Sequence, residues 1–184
     1  IDLLNEQSVF RLKEIIGKKK EIKKIFLRKY LVKYSDNSLN YLKKKFSFAL
    51  IGVGQVNRKN PRIRIFNNLR IFNNLKKLKF NLPVICSKHA IISKHTKVGE
   101  GTVIMHGAII GANVKIGKNC IINSNALIEH GCSIGDHSHI STSATVNSGV
   151  TIGEQCFVGS NSVIKQSLKI KKKSFIKMGS IIKK

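Results

Sequence analysis

The stretch from Ala90 to Lys184 reads AIISKH TKVGEG TVIMHG AIIGAN VKIGKN CIINSN ALIEHG CSIGDH SHISTS ATVNSG VTIGEQ CFVGSN SVIKQS LKIKKK SFIKMG SIIKK, sixteen units of six with no insertion, the last one residue short. The third place of every unit is Ile or Val, from Ile92 and Val98 through to Ile176 and Ile182. Two residues earlier stand Ala, Thr, Val, Cys, Ser or Leu, all small or apolar. A flat strand alternates with period two and a helix with 3.6, so neither accounts for a strict six. The pattern is the hexapeptide signature of a parallel β-helix, in which three units make one triangular coil and aliphatic side chains stack from coil to coil. At ~4.8 Å between paired strands, about five coils give a prism of ~25 Å, and left-handed winding is the expected hand. The glycines at 99, 111, 117, 135, 153 and 159 are expected to ease the corner turns.

This register assigns the side chains. Cys120, Cys132 and Cys156 all fall two residues before an aliphatic place, so they are expected to point inward as fillers. There is no CxxC pair, and an even count is no disulfide framework in a cytosolic chain, so neither a bridge nor a metal site is expected. Cys86 reads as lying outside the repeats. His130 stands two places after its aliphatic residue and His139 one place before, both expected to face outward or toward a corner. Nine residues separate them, half a coil, so within one prism they lie on opposite sides. A site using both must form between neighbouring prisms, which implies a closed oligomer, naturally a homotrimer. His89, His95, His106 and His137 read as surface residues.

The formal charge of +25 raises the question of nucleic acid. Of the 34 Lys and Arg, 21 precede residue 88 and none lies between Ile121 and Ile164, so the repeats carry no continuous basic stripe. Nucleic acid is therefore not the expected partner, and phosphorylated ligands or plain solvated surface account for the lysines. No apolar run reaches the ~18 residues of a bilayer span, so membrane insertion is not expected and a cytoplasmic protein is. An opening Ile1 in place of Met reads as a segment of a longer chain.

Residues 1–87 read as a small, incomplete α/β nucleotide-binding-like domain ahead of the β-helix domain at 88–184. Residues 1–45 look helix-prone, lysine-rich and poor in core. FSFALIGVG, Phe46 to Gly54, has the length and composition of a buried strand running into a glycine turn. Asn60 and Pro61 mark a helix start. RIFNNL then occurs twice in succession, at 64–69 and 70–75. Six residues are not a whole number of turns, so the second copy is rotated by ~240° from the first, which reads as a duplication tolerated near the surface.

Within the repeats, IINSNALIEHGCSIGDHSHIS, Ile121 to Ser141, has E-H followed nine residues on by H-I-S. It resembles the bacterial sugar acetyltransferases of the sialic acid O-acetyltransferase and UDP-4-amino-sugar N-acetyltransferase family. The resemblance runs on through VTIGEQCFVGSNSVI and back to FALIGVG, most of the chain. It implies acetyl transfer from acetyl-CoA, as co-substrate, to an amine or hydroxyl of a nucleotide-activated sugar or sialic acid in surface glycan synthesis. The histidine matching His130 is then the general base, for which an imidazole titrating near working pH is suited. Backbone N–H groups at coil corners are the expected holders of the developing oxyanion. The positions matching His139, Ser160 and Met178 contact acetyl-CoA, the latter two through backbone. Gly52 and Asn123 match positions near the sugar nucleotide.

The chain also departs from that family. Gly131 stands where members often carry an acidic residue after the base, leaving Glu129 or a neighbouring subunit to orient the imidazole. The family's opening glycine-rich strand and its closing G-x-P-A-K segment are missing, and the last repeats place Lys165, Lys171 and Lys177 where earlier ones place Gly. These lysines suit either CoA phosphates or solvent. The alternative function is a non-catalytic or decayed β-helix trimer scaffold. A zinc site of the γ-carbonic anhydrase type fits poorly, because it wants a closely spaced His pair plus a third His from a neighbouring prism.

Overall fold

A computed structural model describes residues 2–6, 9–26, 29–52 and 61–184, with backbone alone at 61–66. From residue 85 onward each six-residue unit supplies a two-residue strand ending on the aliphatic place. Strands eighteen residues apart pair in parallel, as in Ile121↔His139 and Ile122↔Ile140. They form three sheets, the faces of a left-handed parallel β-helix. The first face holds Ile85–Cys86, Val103–Ile104, Ile121–Ile122, His139–Ile140, Phe157–Val158 and Phe175–Ile176. The second runs from Ile91–Ile92 through Ile109–Ile110, Leu127–Ile128, Thr145–Val146 and Val163–Ile164 to Ile181–Ile182. The third runs from Lys97–Val98 through Lys115–Ile116, Ser133–Ile134 and Thr151–Ile152 to Lys169–Ile170.

The aliphatic column fills the axis. Ile104, Ile122, Ile128, Ile140, Val146, Val158 and Ile164 have no measurable exposure, and burying each such side chain is worth roughly 1.5–3 kcal/mol. Cys120, Cys132 and Cys156 share that core as free thiols. Burial pushes the Cys120 thiol up to about 12. Cys86 is not outside the repeats: it holds an aliphatic place, pairs with Ile104 and packs half-buried against the core.

The corner glycines serve a purpose other than the one their spacing suggests. A Cβ on Gly135 would lie 2.5 Å from the Glu154 nitrogen and 2.6 Å from the Gly153 carbon, so the next coil's backbone leaves no room for a side chain. The left-handed turn falls two residues later in each unit. There Asn113, Asn119, Asn125 and His137 take φ of 52–60°, values that the short polar side chains tolerate best among non-glycine residues.

The N-terminal part holds more structure than a lysine-rich surface suggests. Helix α1 (Asp2–Glu6) is followed by strands β1 (Ile15–Ile16), β2 (Ile25–Phe26) and β3 (Tyr30–Tyr34), in the sheet order β1-β3-β2. Val32 in β3 is buried, and so are Leu39 and Leu42 of helix α2 (Leu39–Lys43). The expected buried strand at Phe46 to Gly54 is reduced to one bridge, Phe48 to Asn81. Phe48 is exposed and Ile51 buried, so the run lies over a small cluster with Leu39, Phe72, Leu75, Phe80 and Leu82 rather than inside a sheet. Gly52 is exposed, and residues 53–54 of that run and Asn60 lie outside the described residues.

Helix α3 (Pro61–Lys77) begins on proline at its first position, where the missing N–H costs no hydrogen bond. The duplicated hexamer lies within it and does not stay at the surface. Because the copies are rotated about the axis, Asn68 is buried while its counterpart Asn74 is exposed, and Leu75 is buried while Leu69 is only half-buried. Asn68, Phe72 and Leu75, spaced i, i+4, i+7, form one inward face assembled from both copies.

Candidate functional site

The corner joining the first face to the second carries Asn123, Ser141, Ser160 and Met178 on successive coils. The Ser124 backbone N–H donates to Asn123 Oδ1 at 2.8 Å, which fixes the amide and turns its Nδ2 toward His139 Nε2, 3.5 Å away. Ser141 Oγ and Ser160 Oγ share a hydrogen bond of 2.9 Å. The backbone N–H groups of Ser160 and Met178 donate to no described residue. Met178 extends its side chain into solvent at 76% exposure.

His139 occupies the outward place of its strand, as its register requires, yet it is 3% exposed. Phe157 packs edge-on against its ring at 5.2 Å, and Phe175 stacks on Phe157 at 5.0 Å. Burial lowers the His139 pKa to about 4, so the ring is neutral near pH 7.

His130 stands on the corner joining the second face to the third, across the prism from the first face where His139 sits. It is exposed, and its Nδ1 lies 3.7 Å from Glu129 Oε2. That is ion-pair range and slightly beyond a hydrogen bond. Gly131 has φ of +69° and, at 4.0 Å, only Gly149 near a Cβ position, so it holds the left-handed turn taken elsewhere by Asn or His. Asn123, His139, Ser160 and Met178 thus share one side of the prism, His130 and Glu129 another, and Gly52 lies on the N-terminal part.

Two histidines read as surface residues make specific contacts. His106 Nδ1 lies 2.8 Å from Ser87 Oγ and 3.3 Å from Glu6 Oε1, and Ser87 Oγ donates to Glu6 Oε2 at 3.1 Å, which clasps α1 to the first coil. All three groups meet at one ring nitrogen, so the cluster lacks the two-sided histidine of a nucleophile–base relay. His137 is half-buried against α3, with Phe72 edge-on at 5.1 Å. No sequence pattern marks its partners Asn119 and Phe72, which lie 18 and 65 residues away. Among the described residues no group of three or more His, Cys, Asp and Glu is placed to hold a metal ion.

The outward residues of the three faces differ in kind. The third presents Lys97, Lys115, Ser133, Thr151 and Lys169 to solvent. The first is largely covered, beginning with fully buried Ile85. The second presents Ile91, Ile109, Leu127, Thr145, Val163 and Ile181, an apolar stripe in which Ile91 and Ile181 are each 66% exposed. An exposed apolar stripe of this kind marks an interaction surface.

Residues 86–184 match the family model described as the GMPPB C-terminal domain. No curated protein matches the chain by sequence. Among solved structures, a histidine-to-asparagine variant of perosamine N-acetyltransferase from Caulobacter crescentus, in complex with CoA and GDP-perosamine, aligns with a TM-score of 0.79 at 22% identity over 88% of this chain and 73% of that one. The acetyltransferase domain of PglB from Neisseria gonorrhoeae aligns at 0.79 and 23% identity, over 92% and 78%. WeeI from Acinetobacter baumannii aligns at 0.75 and 22% identity, over 93% and 77%. At these identities the likeness is one of fold, and it extends beyond the prism into the N-terminal part.

Proposed function

The chain belongs to the GMPPB C-terminal domain family, and from that premise we propose that it is an acetyltransferase, moving an acetyl group from acetyl-CoA to an amine or hydroxyl of a nucleotide-activated sugar or sialic acid. The observation that carries this reading is the placement of the bare apolar second face between the two corners that hold the candidate residues. With that face turned to a threefold axis, each prism sets its His130 corner beside the neighbour's Asn123, His139 and Ser160 corner. Three equivalent sites then form, each lined by two chains. Solved structures of the same fold include a perosamine N-acetyltransferase with CoA and GDP-perosamine and an acetyltransferase domain with acetyl coenzyme A.

Acetyl-CoA supplies the acyl group as a thioester. The N–H groups of Ser160 and Met178, which donate to no described residue, suit the amide carbonyls of its extended arm, and exposed Met178 offers apolar contact along the same ridge. Neutral His139, fixed by Asn123 and Phe157, donates or accepts without carrying charge into a dry groove. His130 takes the proton from the attacking amine or hydroxyl of the acceptor. Glu129, at 3.7 Å, reaches the ring's Nδ1 after a small rotation and leaves Nε2 as the basic nitrogen. Gly52 is exposed with no described residue within 4 Å of a Cβ position, as a backbone approached closely by a nucleotide requires.

The test is to incubate the full chain with acetyl-CoA and a panel of amino-sugar nucleotides and sialic acids, following free thiol, with His130→Ala in parallel. Acceptor-dependent thiol release that disappears in the variant is expected. Undiminished turnover in His130→Ala overturns the base assignment, and no turnover with any acceptor favours a non-catalytic scaffold.

A further inference from the structure

The corner joining the third face to the first carries a stack of residues in the left-handed conformation: Gly101, Asn119, His137, Gln155 and Lys173. Helix α3 lies along the first three. The Phe72 ring covers Gly101, 3.3 Å from where a Cβ would stand, and meets the edge of His137. Asn119 is 3% exposed and makes two contacts through one amide nitrogen. Its Nδ2 donates to Asn68 Oδ1 on α3 at 2.6 Å and lies 2.9 Å from His137 Nδ1.

An amide NH2 only donates, so this arrangement works only if His137 Nδ1 is a bare acceptor and the ring proton sits on Nε2. Protonation would place an N–H on Nδ1 and set two donors face to face at a buried contact. Turning the Asn119 amide alone does not relieve the conflict, because it sets Asn119 Oδ1 against Asn68 Oδ1, so relief requires Asn68 to turn as well. We infer that Asn68, Asn119 and His137 form a pH-sensitive latch, closed with neutral His137 and loosened by its protonation, that fixes α3 against the prism.

The charges around the ring are mixed. On the prism, Asp136 and Glu154 favour the imidazolium and Lys118 opposes it, with burial the dominant influence and in the neutral direction. Among the described side chains of α3, the groups facing the ring are uncharged Asn68 and Phe72. One turn on, Lys76 donates to Glu100 Oε2 at 2.6 Å, and Lys118 completes that pair at 3.6 Å. The Lys76–Glu100 pair holds α3 to the prism separately from His137, so the latch adds its own pH sensitivity to that attachment. Because α3 follows the segment that carries Gly52, loosening it reaches the N-terminal part first. The latch does not depend on the acyl-transfer chemistry.

Hydrogen exchange of the full chain, measured over residues 67–77 at pH 5 to 8 and corrected for intrinsic rates, tests this directly. Wild-type protection in that segment is expected to fall at least tenfold between pH 8 and pH 5, while the central coils change less. In His137→Gln the protection should be nearly independent of pH. Glutamine already occupies this turn at residue 155 with φ of 57°, so the backbone accepts it. Equal protection at pH 5 and 8 in wild type, or the same pH response in the variant, overturns the inference. A nitrogen-15 spectrum of wild-type His137 at pH 7.5 gives an answer that needs no variant: a proton on Nδ1 rules the latch out, and one on Nε2 supports it.

Discussion

His130 and His139 stand on opposite sides of the same prism, one on an exposed corner and the other buried on the face across from it. No movement within one chain brings them together. A site that uses both is therefore shared, and its two halves can be removed separately.

Removing the base should cost turnover on the order of 10²–10⁴-fold in His130→Ala, with Glu129→Gln losing less. When His130→Ala and His139→Ala chains are refolded together in equal amounts, random mixing restores about a quarter of the sites if each joins two subunits. Acetyl transfer measured before and after mixing decides the matter: no recovery would place both halves in one chain.

Ile109→Asp puts a charge in the middle of the second face's apolar stripe, at a residue 43% exposed in the single chain. The expected result is a monomer of unchanged circular dichroism, because the side chain points away from the core. Light scattering on the eluting protein measures it, and a variant that keeps the wild-type assembly excludes this face as the contact.

Gly135→Ala pushes a methyl to 2.5 Å from the Glu154 nitrogen. The coils must part, at a cost of about 1–3 kcal/mol, and the melting temperature should fall by several degrees. Gly52→Ala is the contrasting case, with no described residue within 4 Å, so its melting should match wild type. A raised KM for the sugar nucleotide in Gly52→Ala then reports on binding, and an unchanged one removes Gly52 from the site.

The neutral state of His139 makes stability depend on pH. Its pKa is about 4 in the folded chain and about 6.5 when unfolded, so the unfolded chain binds more protons between these values. Stability from this group is present above pH 6.5 and declines by about 3 kcal/mol as pH falls to 4. His137 adds a change of the same sign. Denaturant titrations at pH 7 and 4.5 should show a smaller difference for His139→Gln than for wild type; equal differences contradict the buried-ring account.

Cys120, Cys132 and Cys156 should resist a thiol reagent in the native chain, while half-buried Cys86 reacts slowly. Full labelling of all four cysteines is expected only in denaturant. Rapid reaction of more than one thiol in native buffer contradicts the inward placement of the core cysteines.

The six-residue period made the prism legible, because one aliphatic place per unit fixes strand, core and cysteine facing together. It also placed His130 and His139 on opposite sides, since their separation is a number of faces. It did not reveal why the corner glycines are there: the neighbour that excludes a side chain at Gly135 is nineteen residues away, at Glu154. Nor did it reveal that His139 is buried, because a register assigns a face without saying what covers it. The contacts of Asn68 and His137 escaped for a related reason. Asn68 belongs to a repeated hexamer whose two copies look identical and differ only in rotation about a helix axis.

Each strand of the prism bonds to strands eighteen residues before and after it, and to no others. Such a stack is a chain of nearest neighbours, and it opens by unzipping rather than all at once. Ile170 and Ile182, in the last coil, are only half-buried, whereas Ile122, Ile128 and Ile140 are sealed. Melting therefore reaches the coils of Asn123, His130 and His139 last. The residues of the proposed site thus sit in the part of the column that stays wound longest.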